Sequence, residues 1–305
     1  MAEPLAYLNG QYLPFAQLAL PVTDVGFVQG VTVAEQLRTF GGNLFRLDKH
    51  LQRLARSLEI VGVDLGMSLR ELGAIAGDLT RQNHALLDPA DDLGLTMFVT
   101  PGIYSTYATN STHRGPTVCV HTYPLPFGQW AEKYHLGEAL VATDVAQVPA
   151  ACWPLELKCR SRMHYYLADR AARQIESSAR ALMLDLDGFV TEASTANVLA
   201  YFRDTGLVSP PREKILPGVS VAVLEELAGK LAIPFSHRLL TLDDFAAADE
   251  VLLSSTSPCV WSVTRLNSRP IGIGQPGEIS SRLRRAWGEL VGLDIEQQAR
   301  RFAAR

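Results

Sequence analysis

The sequence predicts an α+β protein built as two domains. Three features carry that prediction. Strand-like runs flank two helical stripes in the first ~120 residues. A stretch rich in turn formers, "PLPFGQW" at 124–130, then interrupts the pattern. A longer series of strands and helices follows it. The expected division is a small α+β domain over 1–123, a linker over 124–133 and a larger domain over 134–305.

In the first domain, "AYLNGQYLPF" reads as a hairpin, because Asn9-Gly10 supplies the positive φ angles of a tight primed turn. "VTVAEQLRTF" places Val31, Val33, Glu35 and Leu37 on one face of a strand. "GGN" at 41–43 turns the chain, and Leu47, Leu51, Leu54 and Leu58 then recur at helical spacing. A second helix starts at Ser68, where Glu71 three residues on completes a capping box. "LGLTMFVT" and "PTVCVHTYPL" are strands, so the unit runs β-β-α-α-β-β in outline.

In the second domain, "GEALVATDV" is strand-like, and Met163, Leu167, Ala171 and Ile175 recur every four residues as in a helix. "ALMLDLDGFVTEASTANVLAYF" gives a strand, an Asp187-Gly188 turn and two further strands. "ILPGVS" opens a helix whose stripe is Val219, Val223, Leu227 and Leu231. "DEVLLSSTSPCVWSVTRL" gives two strands around a polar turn. A last helix spans "SSRLRRAWGEL", and "DIEQQARRFAAR" continues it or frays.

With 20% charged residues and a net charge of −4, the composition is that of an ordinary soluble protein. Nucleic-acid binding is therefore not expected. Cys119, Cys152, Cys159 and Cys259 form no C-x-x-C pair, and the histidines miss zinc spacings, so reduced thiols and no metal site are expected. No basic-then-apolar leader opens the chain and no apolar run reaches membrane length, which predicts a cytoplasmic protein with no membrane partner.

The chemistry centres on "LKCRSRMHYYLADR", where Lys158 sits at a strand-to-helix junction. It is either a solvated surface amine or a desolvated one able to act as a nucleophile. Glu192 in "GFVTEASTANVL" is either a loop acid or a carboxylate paired with a protonated nitrogen. At "ILPGVS", Gly218 and the amides of Val219 and Ser220 suit an anion, or form an ordinary helix start. "SSTSP" at 254–258 offers hydroxyls and amides of the same kind. One ligand unifies these parts: an aldehyde for the lysine, a ring nitrogen for the glutamate and a phosphate for the amides. That ligand is pyridoxal 5'-phosphate. Arg53 on the first helix adds a positive charge for the phosphate.

Taken in order, "DVGFVQG", "NLFRLDKHLQRL", "ELK", "GFVTEASTANVL", "ILPGVS" and "RPIGIGQPG" resemble the class IV aminotransferases, pyridoxal-phosphate enzymes of fold type IV. The resemblance implies a small α+β domain, a larger domain with a barrel-like β core, the cofactor at their interface, and a homodimer. It makes Lys158 the Schiff-base lysine and proton shuttle and Glu192 the partner of the pyridine nitrogen. Arg53, Gly218, Val219, Ser220, Thr256 and Ser257 become phosphate contacts, with Asn197 near the cofactor. The implied reaction moves an amino group between an amino acid, of branched-chain or D-amino-acid type, and a 2-oxo acid. The alternatives are a lyase releasing pyruvate from aminodeoxychorismate and a non-catalytic homologue that only binds the cofactor.

Two departures bear on the substrate. The family run "GFxYGDGVFE" is here "GFVQGVTVAE", so Gln29 replaces a tyrosine. The family tyrosine five residues after the lysine is here Met163. Gln29, Arg160, Arg162 and His164 are therefore the candidate substrate residues.

Overall fold

The structure is a computed structural model that describes residues 3–110 and 115–304; the expected domain ends at 1 and 305 lie outside the described residues. The chain divides into two units, Met1–Leu125 with Leu157–Ser161, and Pro126–Glu156 with Arg162–Arg305.

The first unit holds β1 (Leu5–Leu8), β2 (Gln11–Pro14), α1 (Val25–Val28), β3 (Val33–Phe40), β4 (Asn43–Leu44), α2 (Leu47–Val61), α3 (Leu69–His84), β5 (Leu93–Thr100) and β6 (Thr117–Pro124). Its six strands form one antiparallel sheet in the order β2-β1-β6-β5-β3-β4. Asn9 (φ 48°) and Gly10 (φ 91°) make the β1–β2 turn, the left-handed pair a two-residue hairpin needs. Ser68 and Glu71 close a full capping box at the start of α3. Leu54, Leu72 and Leu79 from the two helices bury against Leu37, Leu95 and Met97 of the sheet. Val31 lies ahead of the strand, which begins at Val33.

The second unit holds α4 (Phe127–Trp130), α5 (Lys133–Leu136), β7 (Glu138–Ala142), α6 (Met163–Ile175), β8 (Arg180–Leu184), β9 (Val190–Ala193), β10 (Ala196–Phe202) and β11 (Gly206–Ser209). It continues with α7 (Val219–Lys230), β12 (Phe235–His237), α8 (Leu242–Ala247), β13 (Glu250–Ser255), β14 (Cys259–Leu266), β15 (Arg269–Pro270), α9 (Glu278–Val291) and α10 (Ile295–Arg301). Pairing runs β10-β13-β14-β7-β8-β9 and returns from β9 to β10, which closes six strands into a barrel. The two pairings β14–β7 and β7–β8 are parallel and the rest antiparallel. The barrel-like β core that the resemblance implied is therefore present. The β9–β10 pairing through Glu192–Asn197 and Ala193–Ala196 completes the closure, so neither strand is left as a free edge there.

Three further expectations change. The five residues 157–161 cluster with the first unit, not with the larger C-terminal domain expected to carry Lys158. The reason is backbone pairing: Ala34 N donates to Lys158 O at 3.1 Å and Arg160 N to Thr32 O at 2.8 Å, with a bridge between Val33 and Cys159. The α6 stripe is also reversed. Met163, Leu167 and Ile175 are exposed, whereas Ala168 and Ala172 are buried against Ala139, Ala181 and Met183. Small side chains let the helix lie close to β7 and β8, so shape rather than hydrophobicity selected the inward face. Lastly, the C-terminal segment neither continues α9 nor frays. Gly292 (φ 74°) ends α9, and Asp294 caps a separate α10.

Candidate active site

In the first unit, β3 alternates across the sheet, so Glu35 points to the same side as core residues Val33 and Leu37. A carboxylate placed there needs partners, and α2 provides them. Arg53 donates through Nε at 2.7 Å and Nη2 at 2.8 Å to the two carboxylate oxygens, and His50 Nδ1 lies 2.7 Å from Oε2. The three-residue spacing of His50 and Arg53 puts both on one helix face.

Burial alone would raise the Glu35 pKa. The Arg53 charge, the hydrogen bonds from Arg53 and His50 and the nearby Lys158 charge outweigh it and bring the group down to about 2. Burial lowers the His50 pKa, and the Arg53 and Lys158 charges add to this against Glu35. The imidazole is thus neutral and donates from Nδ1. Its buried Nε2 has no hydrogen-bond partner among the described residues.

Lys158 is fixed to the same scaffold by its backbone. Its N–H donates to Ser57 Oγ of α2 at 3.1 Å, and its carbonyl caps the start of β3 as described above. Ser161 Oγ donates to Gly30 O at 2.7 Å, tying down the other end of the segment. Arg160 is exposed, and its charge, after burial, lowers the pKa of His121 on β6. Gln29 is exposed at the end of α1.

In the second unit, Glu192 of β9 pairs across the ladder with Asn197 of β10, and Asn197 pairs with Ser254 of β13. Directly paired residues project to the same face, so these three form a polar row across adjacent strands. All three are buried. Glu192 Oε1 accepts from Tyr165 Oη at 2.5 Å and from Gln147 Nε2 at 2.8 Å. Its Oε2 accepts longer bonds from Leu216 N at 3.4 Å and Asn197 Nδ2 at 3.5 Å. Asn197 Nδ2 also donates to Leu216 O at 3.1 Å, which binds the row to the segment that starts α7.

Gly218 is the N-cap of α7 and receives no side-chain cap. A Cβ there would meet Asn197 Oδ1 at 2.1 Å, so only glycine lets the helix start come this close to the row. Val219 and Ser220 follow in the first turn, both buried. The β13–β14 turn carries Thr256 and Ser257, each 8% exposed, and ends on Cys259 in the left-handed region (φ 66°). Ser254 Oγ is buried with no partner among the described residues.

Of the remaining candidates, His164 has its pKa lowered by burial and by Arg162. Met163, at the position of the family tyrosine, is exposed. Sequence reasoning passed over Glu35, His50, Gln147 and Tyr165. The signal for Glu35 was a charge on an apolar strand face; Gln147 lay in a loop and carried none. No group of histidine, cysteine and acidic side chains among the described residues could hold a metal ion.

The family model described as amino-transferase class IV matches residues 32–266, most of the chain. The chain belongs to the class IV amino-transferases. This amino-transferase is 27% identical over 278 residues to the D-alanine aminotransferase of Bacillus licheniformis, covering 91% of this chain and 94% of that one. To the D-alanine aminotransferase of Staphylococcus epidermidis (strain ATCC 12228) it is 25% identical, over 93% and 97% of the two chains. Its fold is shared with the branched-chain amino acid aminotransferase of Escherichia coli, at a TM-score of 0.86, 21% identity and 95% coverage of both chains. It is likewise shared with the T.th. branched-chain enzyme complexed with N-(5'-phosphopyridoxyl)-L-glutamate, at a TM-score of 0.83, 23% identity and 95% coverage of both. No helix among the described residues is long and apolar enough to cross a membrane.

Proposed function

We propose that this amino-transferase moves the amino group of a D-amino acid of alanine type to a 2-oxo acid, with pyridoxal 5'-phosphate as its cofactor. The observation that carries the reading is the buried Glu192 carboxylate beside the helix start at Gly218. A carboxylate fixed in a buried row suits a cationic N–H, and amides at a helix start suit an anion. A phosphorylated pyridinium presents both. The residues present fit that group: Gly218 keeps the approach clear of side chain, and the Ser254 hydroxyl, without a partner among the described residues, is a polar atom a ligand would satisfy.

When bound, the cofactor supplies an aldehyde that condenses with amines and a protonated ring that draws electrons from the substrate α-carbon. Lys158 is the amine that holds it between turnovers and whose Nζ takes and returns the α-proton. Glu192 keeps the ring nitrogen protonated, since a negative neighbour favours the cationic form. Arg53, held in orientation by Glu35, supplies fixed positive charge to the phosphate, together with the amides of Val219 and Ser220 and the turn at Thr256 and Ser257. Arg160, Arg162, His164 and Gln29 are the side chains offered to the substrate. The D-alanine preference is supported by the curated relatives, which match nearly the whole chain. The assembly that accompanies this reading is a homodimer.

A half-reaction screen tests the proposal. Holoprotein mixed with D-alanine loses its cofactor absorbance band, and L-alanine leaves it unchanged. Borohydride reduction followed by peptide mapping places the pyridoxyl label on Lys158. A label elsewhere, or no spectral response to any amino acid, removes the proposal.

A further inference from the structure

Glu192 is held from a side that the family motifs do not describe. Tyr165 Oη and Gln147 Nε2 both reach Oε1, and they lie 3.4 Å from each other. The amide orientation of Gln147 is set independently, because its Oε1 accepts from Val148 N at 3.1 Å and leaves Nε2 to face the acid. Its backbone N–H donates to Leu184 O of β8 at 2.8 Å. Tyr165 is anchored in turn, packing with Val145 on the alanine cluster between α6 and the barrel. Two separate elements, the loop after β7 and helix α6, thus converge on one carboxylate oxygen of β9.

We infer that Tyr165 and Gln147 are positioning residues that fix the orientation and basicity of Glu192, an inference resting on the reading that Glu192 faces a pyridine nitrogen. Both donors are neutral. They orient the carboxylate and withdraw electron density from it, without cancelling its charge as a cation on Oε1 would. A carboxylate that accepts such bonds is a weaker base. The proton it shares with a basic ring nitrogen therefore stays on the nitrogen, and the ring remains a strong electron sink. Tyr165 keeps the proton it donates, because burial and then the Glu192 charge push the phenol well above its ordinary range. The tyrosine that the family places five residues after the lysine has no counterpart at Met163. Tyr165, two residues further on, is committed to the acid.

The experiment loads the full-length enzyme with pyridoxal phosphate labelled with nitrogen-15 in the ring and records the ring-nitrogen chemical shift at neutral pH. Wild type gives a pyridinium signal. Tyr165→Phe and Gln147→Met move it toward the neutral-pyridine position. The same variants lower kcat roughly tenfold, the effect of one lost charge-assisted hydrogen bond, with KM for the amino acid unchanged. A purely structural tie would alter thermal stability and leave the shift where it was. A pyridinium signal unchanged in Gln147→Met and in whichever other variants fold overturns the clamp while leaving the proposed function intact. Wild type that fails to bind the cofactor, or a signal insensitive to Glu192→Gln, overturns both.

Discussion

At the scale of single residues, the buried acid Glu35 shows how a charge can be kept inside a core. It is fully buried, and Arg53, its bidentate partner, is nearly so. Removing one member of such a pair leaves the other charge stranded, which typically costs about 3–5 kcal/mol. Glu35→Gln should therefore lower unfolding stability by that order, measured from urea midpoints, and should also weaken phosphate-dependent cofactor retention by releasing Arg53. An unchanged midpoint would mean that the ion pair contributes nothing net. The sequence places Glu35 on a strand face with apolar neighbours but does not show its partners. They sit 15 and 18 residues away on α2, and only the packing of that helix on β3 brings them within 2.7 Å.

At the scale of elements, helix α7 supplies a paired test. Gly218 and Gly229 lie near its two ends. A Cβ at Gly218 would collide with Asn197 Oδ1 at 2.1 Å, while one at Gly229 meets nothing within 4 Å. Gly218→Ala should displace the first turn, costing about 1–3 kcal/mol as overpacking and reducing cofactor affinity. Gly229→Ala, in an exposed helical position, should instead stabilise by roughly 0.5–1 kcal/mol through lower unfolded-state entropy. Thermal melts and cofactor titration of the two variants check this; equal effects would show that the close approach at Gly218 is immaterial. The polar row Glu192–Asn197–Ser254 is also a product of elements. Strand alternation in the sequence assigns each residue a face, but the register that aligns the three is a property of the closed barrel. Helix α6 makes the same point in reverse. Its four-residue periodicity was legible, whereas the burial of alanines rather than Met163 and Leu167 depended on how closely β7 and β8 approach.

At the scale of the whole molecule, acid should be the destabilising direction. Glu35 has a folded pKa of about 2 against an ordinary value of 4.5, and the His50 pKa lies below 6.5. His121 and His164 are lowered as well, in each case chiefly by burial. For all four the unfolded chain binds protons first as pH falls, so their contribution is present above the unfolded pKa and is lost on acidification. Stability should begin to fall below pH 6.5 through the histidines. It should fall more steeply from 4.5 toward 2 through Glu35. Urea midpoints measured against pH would show this, and the lower limb should be shallower in Glu35→Gln. A midpoint that rises on acidification would contradict the assignment of these groups.

By itself the sequence determined the class of fold and most of its local structure, because periodicity, turn residues and caps act over a few residues at a time. Asn9-Gly10, the Ser68 capping box and the motif blocks around Lys158 and Glu192 are all of this kind. The tertiary structure alone decided what surrounds the chemistry. It closed the barrel through β9 and β10, carried residues 157–161 onto the edge of β3, and placed Tyr165 and Gln147 on the same oxygen of Glu192. Those arrangements join residues far apart in the chain. No local pattern encodes them, since they follow from the packing of whole elements against one another.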